Sequence, residues 1–226
     1  LLHSAGVCPD FWRVSTLFPI SKGKPVVSAL DLRPIALTSN LGKLFERVIN
    51  DSMMKCAMDN DIIPHQQHGF LRGKSTVDVT TKIAQSLRGL KKSKAVAGLF
   101  LDVKKAYNSV WHGGLVCKLI SLGFPETAVR WTSDWLRARR CITRVRDVTS
   151  SARHHLRGAP QGTVLSPLLF LVFFSDVVAE LFCEAMLFAD DLSVFTQAFK
   201  VGKTMVCSRM QRDVQALVSW GKRWKM

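Results

Sequence analysis

Residues 183–195 read Cys-Glu-Ala-Met-Leu-Phe-Ala-Asp-Asp-Leu-Ser-Val-Phe, two apolar arms, Cys183–Ala189 and Leu192–Phe195, with adjacent aspartates between them. Arms of strand length joined by so short a connection predict an antiparallel hairpin. Aspartate tolerates turn geometry and hydrogen-bonds its own backbone, so an isolated Asp-Asp pair reads first as a turn. Adjacent like charges also repel unless a cation offsets them, which keeps a metal site open as the second reading.

A second stretch bears on the choice. Ala95–Val103, AVAGLFLDV, is an apolar run ending on Asp102, the pattern of a buried strand that delivers one carboxylate at its tip. If that strand neighbours the hairpin, Asp102, Asp190 and Asp191 converge. Three carboxylates with no fixed basic partner either have raised pKa values or share divalent cations. Magnesium suits such hard oxygen ligands and keeps positions open for phosphate oxygens. In two-metal phosphoryl transfer one ion activates the attacking hydroxyl and the other stabilises the leaving pyrophosphate.

Short strands are expected at Leu17–Ile20, Ile35–Leu37 and Cys141–Val148. Helical spacing of Leu41, Leu44, Phe45, Val48, Ile49, Met53 and Cys56 predicts a helix capped by Asn40. Further helices are expected at Thr76–Leu90, Gly114–Leu122, Glu126–Arg139, Leu165–Phe182 and Lys203–Trp224. Helices first, then strands interleaved with helices, imply an α+β or mixed α/β sheet with helices on one face.

Charge narrows the chemistry. Lys and Arg number 32 against 17 Asp and Glu, a net charge of +15 spread along the chain. This predicts an anionic partner, nucleic acid first and an acidic membrane surface second, with a merely soluble basic surface as the alternative. With the carboxylates, this favours polynucleotide chemistry over small-molecule hydrolysis. The most apolar run, Val164–Phe174, is too short to span a bilayer, and no secretory signal is evident. The six cysteines show no C-x-x-C pair and read as reduced thiols of an intracellular protein. The start at Leu1 and the stop in a basic helical stretch suggest a piece of a longer chain.

Tyr107, the single tyrosine beside 13 phenylalanines, lies five residues after Asp102. A ring there would sit under a nucleotide sugar and exclude a 2′-hydroxyl, or fill the core as an ordinary aromatic. Gly158-Ala159-Pro160-Gln161-Gly162 is a turn before a helix, whose backbone N–H groups and Gln161 amide can meet a nucleotide or template. Arg72-Gly73-Lys74-Ser75-Thr76 is not a phosphate loop, because Gly69 stands one residue too close to Gly73. His65 and His68 lack the helical spacing and glutamate of a metalloprotease, and His154-His155 are expected at the surface.

The order of motifs is more specific than any one of them: PISKGK at 19–24, LRPIALTSNLGKLFERVI at 32–49, QHGFLRGKSTVD at 67–78, FLDVKKAYNSVWH at 100–112, GAPQGTVLSPLLF at 158–170 and FADD at 188–191. Together they resemble the reverse transcriptase domain of non-LTR (LINE-like) retrotransposons, with group II intron enzymes as more distant relatives. The resemblance implies an α+β polymerase right hand, with fingers at 1–95, palm at 96–226 and the thumb absent. It implies metal binding by Asp102, Asp190 and Asp191, with Asp190 the more direct ligand of the hairpin pair and the Val103 carbonyl a further one. Tyr107 matches the sugar-gating aromatic, Gln161 the glutamine of the Pro-Gln-Gly turn, and Arg33 a fingers residue near the incoming triphosphate, with Lys22 and Lys24 candidates for the same role.

The implied function is RNA-directed DNA synthesis. The implied cofactor is magnesium, or manganese in its place. The implied partners are an RNA template, a DNA primer and deoxynucleoside triphosphates, with no membrane. The resemblance also implies a fused endonuclease and a thumb in the full-length protein, and a nuclear setting. Asn108 stands where many relatives carry aspartate, and Phe188-Ala189 replaces the more usual tyrosine-led box. The rival readings are an RNA-synthesising or telomerase-like polymerase, and an inactive nucleic-acid-binding remnant. Tyr107 argues against the RNA-synthesising one.

Overall fold

The computed structural model describes residues 6–21, 23, 25–88, 95–198 and 203–226. In chain order the elements are β1 (Val14–Ser21), β2 (Leu32–Leu37), α1 (Asn40–Asp59), α2 (Thr76–Arg88), β3 (Ala95–Asp102), α3 (Ala106–Ser109), α4 (His112–Ser121), α5 (Glu126–Leu136), β4 (Arg140–Val145), β5 (Val148–Thr149), β6 (Arg153–His154), α6 (Ser166–Phe174), β7 (Glu184–Phe188), β8 (Asp191–Ala198) and α7 (Lys203–Trp224). They form two compact units, one from residues 1–60 and 107–170, the other from 61–106 and 171–226. Each unit takes residues from both sides of position 95. Among the described residues no helix is long and apolar enough to cross a membrane.

The first unit holds a sheet ordered β2–β1–β4–β5, with β6 paired to β4. β1 runs antiparallel to β2 and parallel to β4. Its core is aromatic: Trp131 and Trp135 are fully buried and stacked at 5.9 Å, and the buried Arg139 guanidinium lies 4.5 Å from the Trp135 ring centre.

Helix α1 is capped by Ser39, whose Oγ accepts the Gly42 N–H at 3.4 Å, rather than by Asn40. Its buried face is Gly42, Glu46, Ile49, Met53 and Ala57. Leu41, Leu44 and Val48, three of the apolar residues at helical spacing, are exposed by 67%, 63% and 55%. The helix turns a glutamate inward because that carboxylate has backbone donors to meet, described below.

The second unit is built on the antiparallel sheet β3–β8–β7. Leu192 and Val194 are buried, and α7 packs on β3 and β8 while α2 packs on β7. Asp213, itself fully buried on α7, accepts the backbone N–H groups of Phe182 and Cys183 at 2.9 and 3.0 Å. Trp220 Nε1 donates to Asp176 at 2.7 Å.

One expected helix breaks before its pattern ends. The Leu165–Phe182 helix ends as an α-helix at Phe174 and continues as a 3₁₀ turn, Ser175–Glu180. There the Ser175 hydroxyl donates to the Val172 carbonyl at 2.9 Å, the local competition that loosens a helix end. The helix expected at Thr76–Leu90 is described to Arg88, and its last two residues lie outside the described residues. So do Lys22 and Lys24.

Candidate active site

The hairpin predicted from residues 183–195 is present, and β3 is its neighbour. Asp102 pairs directly with Asp191, and Asp191 pairs on its other side with Phe188. Directly opposed antiparallel residues stand about 4.5–5.5 Å apart at Cα and point to the same face. Asp102 and Asp191 are exposed and Asp190 is half-buried. Among the described residues no three His, Cys, Asp or Glu side chains form a group that could hold an ion. The register sets two carboxylates face to face and leaves the third beside them in the turn.

Two facing, solvent-accessible carboxylates are hard oxygen donors of the kind a magnesium ion takes with its waters. The Val103 carbonyl accepts the Ala106 N–H at 3.1 Å, and its second lone pair can still serve an ion. A cavity of about 360 Å³ lies against the pair, walled by Thr76, Val79, Thr80, Phe100 and Phe188.

The turn itself, Ala189-Asp190, is strained. Ala189 sits at φ +56°, where a residue with a Cβ pays roughly 1–2 kcal/mol relative to the right-handed region. Something must hold it, and the holder is a residue that sequence reasoning did not single out. Gln67 is 2% exposed. Its Oε1 accepts the Ala189 N–H at 2.9 Å and the Gly69 N–H at 2.7 Å, while its Nε2 donates to the Ala189 carbonyl at 3.2 Å. The segment around it joins the outer edge of β7 by a single isolated parallel bridge, with His68 N–H donating to Leu187 O at 2.9 Å and Leu187 N–H to Gln66 O at 3.0 Å. Only glycine fits at 69, because a Cβ there would stand 2.2 Å from the Ala189 nitrogen. The signal available in the sequence was Gln-His-Gly in the 67–78 motif, but nothing local tied it to residue 189.

Lys74, rejected above as part of a phosphate loop, donates to the carbonyls of Gln67 at 2.8 Å and His65 at 3.3 Å. Burial, and then Lys82 nearby, push its pKa below the usual lysine value. His68 bonds the Gln66 carbonyl through Nδ1 at 2.8 Å, and its Nε2 stands 3.2 Å from the Lys82 ammonium, so Nδ1 carries the proton and Nε2 accepts.

Arg33, Tyr107 and Gln161 belong to the first unit, where the Gly158–Gly162 turn is fixed from several directions. Gly158 N–H donates to Val110 O at 2.8 Å, Ala159 N–H to Tyr107 O at 2.7 Å, and Ala36 N–H to Gln161 O at 2.7 Å. Gly162 has φ +101°, and a Cβ there would meet the Ala36 carbonyl at 2.8 Å. Arg33 is exposed on β2, in register with Ile20 and three residues before the strand's contact with Gln161. Tyr107 is half-buried, its ring stacked on Phe170 at 5.1 Å and 23°. A cavity of about 440 Å³ borders the turn, lined among others by Pro34, Asn108, Arg157, Pro160 and Gln161. His154 and His155 are exposed, as expected.

Residues 20–226 match the family described as Reverse transcriptase (RNA-dependent DNA polymerase). The chain belongs to the reverse transcriptase family. Among curated proteins, this reverse transcriptase chain is 32% identical to the probable RNA-directed DNA polymerase from transposon BS of Drosophila melanogaster, over 96% of its own length. It is 30% identical to the RNA-directed DNA polymerase from mobile element jockey of the same fly, over 98% of its length. In each case the chain spans 25% of the relative. These matches bear out the resemblance to the non-LTR branch.

Among solved structures, telomerase from Candida tropicalis in complex with a telomeric RNA fragment superposes with a TM-score of 0.66 over 95% of this chain and 40% of that one, at 10% identity. Apo telomerase from the same yeast, truncated from its C-terminal domain, gives 0.62 over 92% and 47%, at 13% identity. At such identity the likeness is one of fold, and it supports the α+β polymerase right hand.

A second buried side chain of this reverse transcriptase was also missed from sequence. Glu46 is 2% exposed, and its Oε2 accepts the N–H groups of Val164 and Leu165 at 2.8 and 3.3 Å, capping the chain as it leaves the Gln161 turn and enters α6. Burial raises its pKa above the ordinary 4.5, and the two backbone donors offset part of that.

Proposed function

We propose that the chain is the nucleotide-adding domain of an RNA-directed DNA polymerase, extending a DNA primer on an RNA template in the copying of a retroelement. The observation that carries this reading is the register of Asp102 opposite Asp191, with Asp190 in the adjoining turn, in a chain of this family. Asp102 and Asp191, paired in register, would hold magnesium, or manganese in its place, with Asp190 and the Val103 carbonyl the further ligands that the family resemblance implies. Bound there, the ions supply activation of the primer 3′-hydroxyl and neutralisation of charge on the departing pyrophosphate.

The remaining work falls to the protein's own side chains. Tyr107, its ring stacked on Phe170, is the aromatic that would meet the sugar of a deoxynucleoside triphosphate and exclude a 2′-hydroxyl. Gln161, on its fixed turn, positions the same nucleotide, and Arg33 with Lys22 and Lys24 meets the triphosphate. The surplus of lysine and arginine follows template and primer backbones. The fingers and palm names belong to this same proposal, as do a fused endonuclease, a thumb and a nuclear setting in the longer protein.

The test is primer extension on an RNA template with Mg²⁺, comparing native protein with Asp190→Asn. Extension by the native chain alone supports the reading. Equal binding of an RNA–DNA hybrid by both, with extension by neither, overturns it and leaves a binding module.

A further inference from the structure

We infer that Gln67 is a positioning residue for the carboxylates: its side-chain amide holds both peptide groups of Ala189 and so fixes the turn from which Asp190 and Asp191 project. The inference rests on the polymerase reading and deepens it.

Four observations meet here. The turn adopts a conformation its own residues disfavour, with a non-glycine residue, Ala189, at φ +56°. Such a conformation persists where the surroundings over-determine it, and it concentrates at functional sites. Second, the bonds are made by one buried amide using both ends. Oε1 takes the Ala189 and Gly69 N–H groups at 2.9 and 2.7 Å, and Nε2 gives to the Ala189 carbonyl at 3.2 Å. Reversing the amide would set NH₂ against two N–H donors, so the arrangement has one sense only.

Third, the base of the side chain is itself anchored. Gln67 N–H donates to Pro64 O at 2.9 Å, and the Lys74 ammonium donates to Gln67 O at 2.8 Å. Fourth, the backbone comes as close as it can. A Cβ on Gly69 would meet Ala189 N, Cα and Cβ at 2.2, 2.9 and 3.0 Å, so position 69 leaves the turn no space to relax toward it.

A merely structural glutamine would need to satisfy only itself. This one spends all its bonds on the turn and on the glycine that lets the backbone approach it. Asp190 follows Ala189 directly, and Asp191 begins β8 opposite Asp102. A turn held in one conformation keeps the binding-competent fraction high, and releasing it raises the apparent dissociation constant of an ion in proportion.

The experiment uses the full chain, isotope-labelled, as native protein and as Gln67→Met, which matches the shape and removes the bonds. Exchange of the Ala189 amide proton is followed with a Mg²⁺ titration read on the Asp190 and Asp191 amide resonances and with RNA–DNA hybrid affinity. The expected result for Gln67→Met is Ala189 exchange faster by about tenfold or more, the scale of one lost hydrogen bond. The Mg²⁺ midpoint should rise about threefold or more with hybrid affinity little changed. Unchanged exchange overturns the inference, and so does faster exchange with an unmoved Mg²⁺ midpoint, which makes Gln67 structural only.

In native protein the Gln67 Nε2 protons should exchange slowly and shift with the Asp190 midpoint. Exchange there at the solvent rate overturns the inference even where the Met variant does not fold. Primer extension separates the two levels. A native chain that binds Mg²⁺ but extends nothing sinks the polymerase reading and leaves the turn-holding role standing. Extension with an unmoved midpoint in Gln67→Met sinks the role alone.

Discussion

Replacing Glu46 tests whether the Gln161 turn is held from α1. The carboxylate is buried, and it accepts one backbone N–H at 2.8 Å and a second at 3.3 Å. A bond from a backbone donor to a charged group contributes about 1.5–3 kcal/mol, and the longer one lies at the weak end. Glu46→Ala leaves both donors without a partner, so the expected loss is about 2–4 kcal/mol. For a chain of this size that lowers the melting temperature by roughly 4–16 °C. Glu46→Gln keeps an acceptor of the same reach and should fall within about 1 kcal/mol of native.

The two variants also separate by pH. Burial raises the folded-state pKa of Glu46 above 4.5, so the folded protein holds this proton more tightly than the unfolded chain. Its contribution is therefore fully present below the unfolded value and declines as pH rises through the folded one. Native stability minus that of Glu46→Gln should fall as pH rises from about 4.5, and comparing the pair cancels the other carboxylates. Urea unfolding from pH 5 to 8, followed by the fluorescence of the stacked Trp131–Trp135 pair, measures both effects. An Ala variant as stable as native would refute the capping. A native-minus-Gln difference that grows with pH would refute the raised pKa.

Asp102→Asn, Asp190→Asn and Asp191→Asn should each lower primer extension by about 10²-fold or more, the scale of losing one transition-state contact, while hybrid binding measured by anisotropy stays near native. If Tyr107 gates the sugar as proposed, Tyr107→Ala should raise the ratio of ribonucleotide to deoxyribonucleotide incorporation, and Tyr107→Phe, which keeps the ring stacked on Phe170, should not. Gly162→Ala places a Cβ 2.8 Å from the Ala36 carbonyl at a positive φ. It should cost about 1–3 kcal/mol in urea unfolding and weaken deoxynucleotide use through the displaced Gln161 turn. Hybrid affinity should fall by roughly 10²-fold between 50 and 200 mM KCl if about four phosphates are neutralised, and a flat salt response would exclude the backbone-tracking role of the basic excess.

What the sequence by itself determined is what local pattern can encode. Alternating and continuous apolar runs marked β3, β7 and β8 to within a few residues, because strand and helix periods are written in neighbouring positions. The same runs marked Asp102 and the Asp190-Asp191 pair, since a carboxylate at the end of an apolar strand stands out against its flanks. Motif order then supplied the family. Tertiary structure decided the rest. The pairing of Asp102 with Asp191 is a matter of register between strands far apart in the chain. The same holds for Gln67, whose bond to Ala189 spans 122 positions, and for Glu46, which reaches Val164 across 118. A polar side chain on a helix or loop reads as solvated until the donors it will meet are known, and α1 shows the converse, with Leu41 and Leu44 exposed and Glu46 buried. No period in a sequence records such a bond; it exists only once packing has brought the two backbones together.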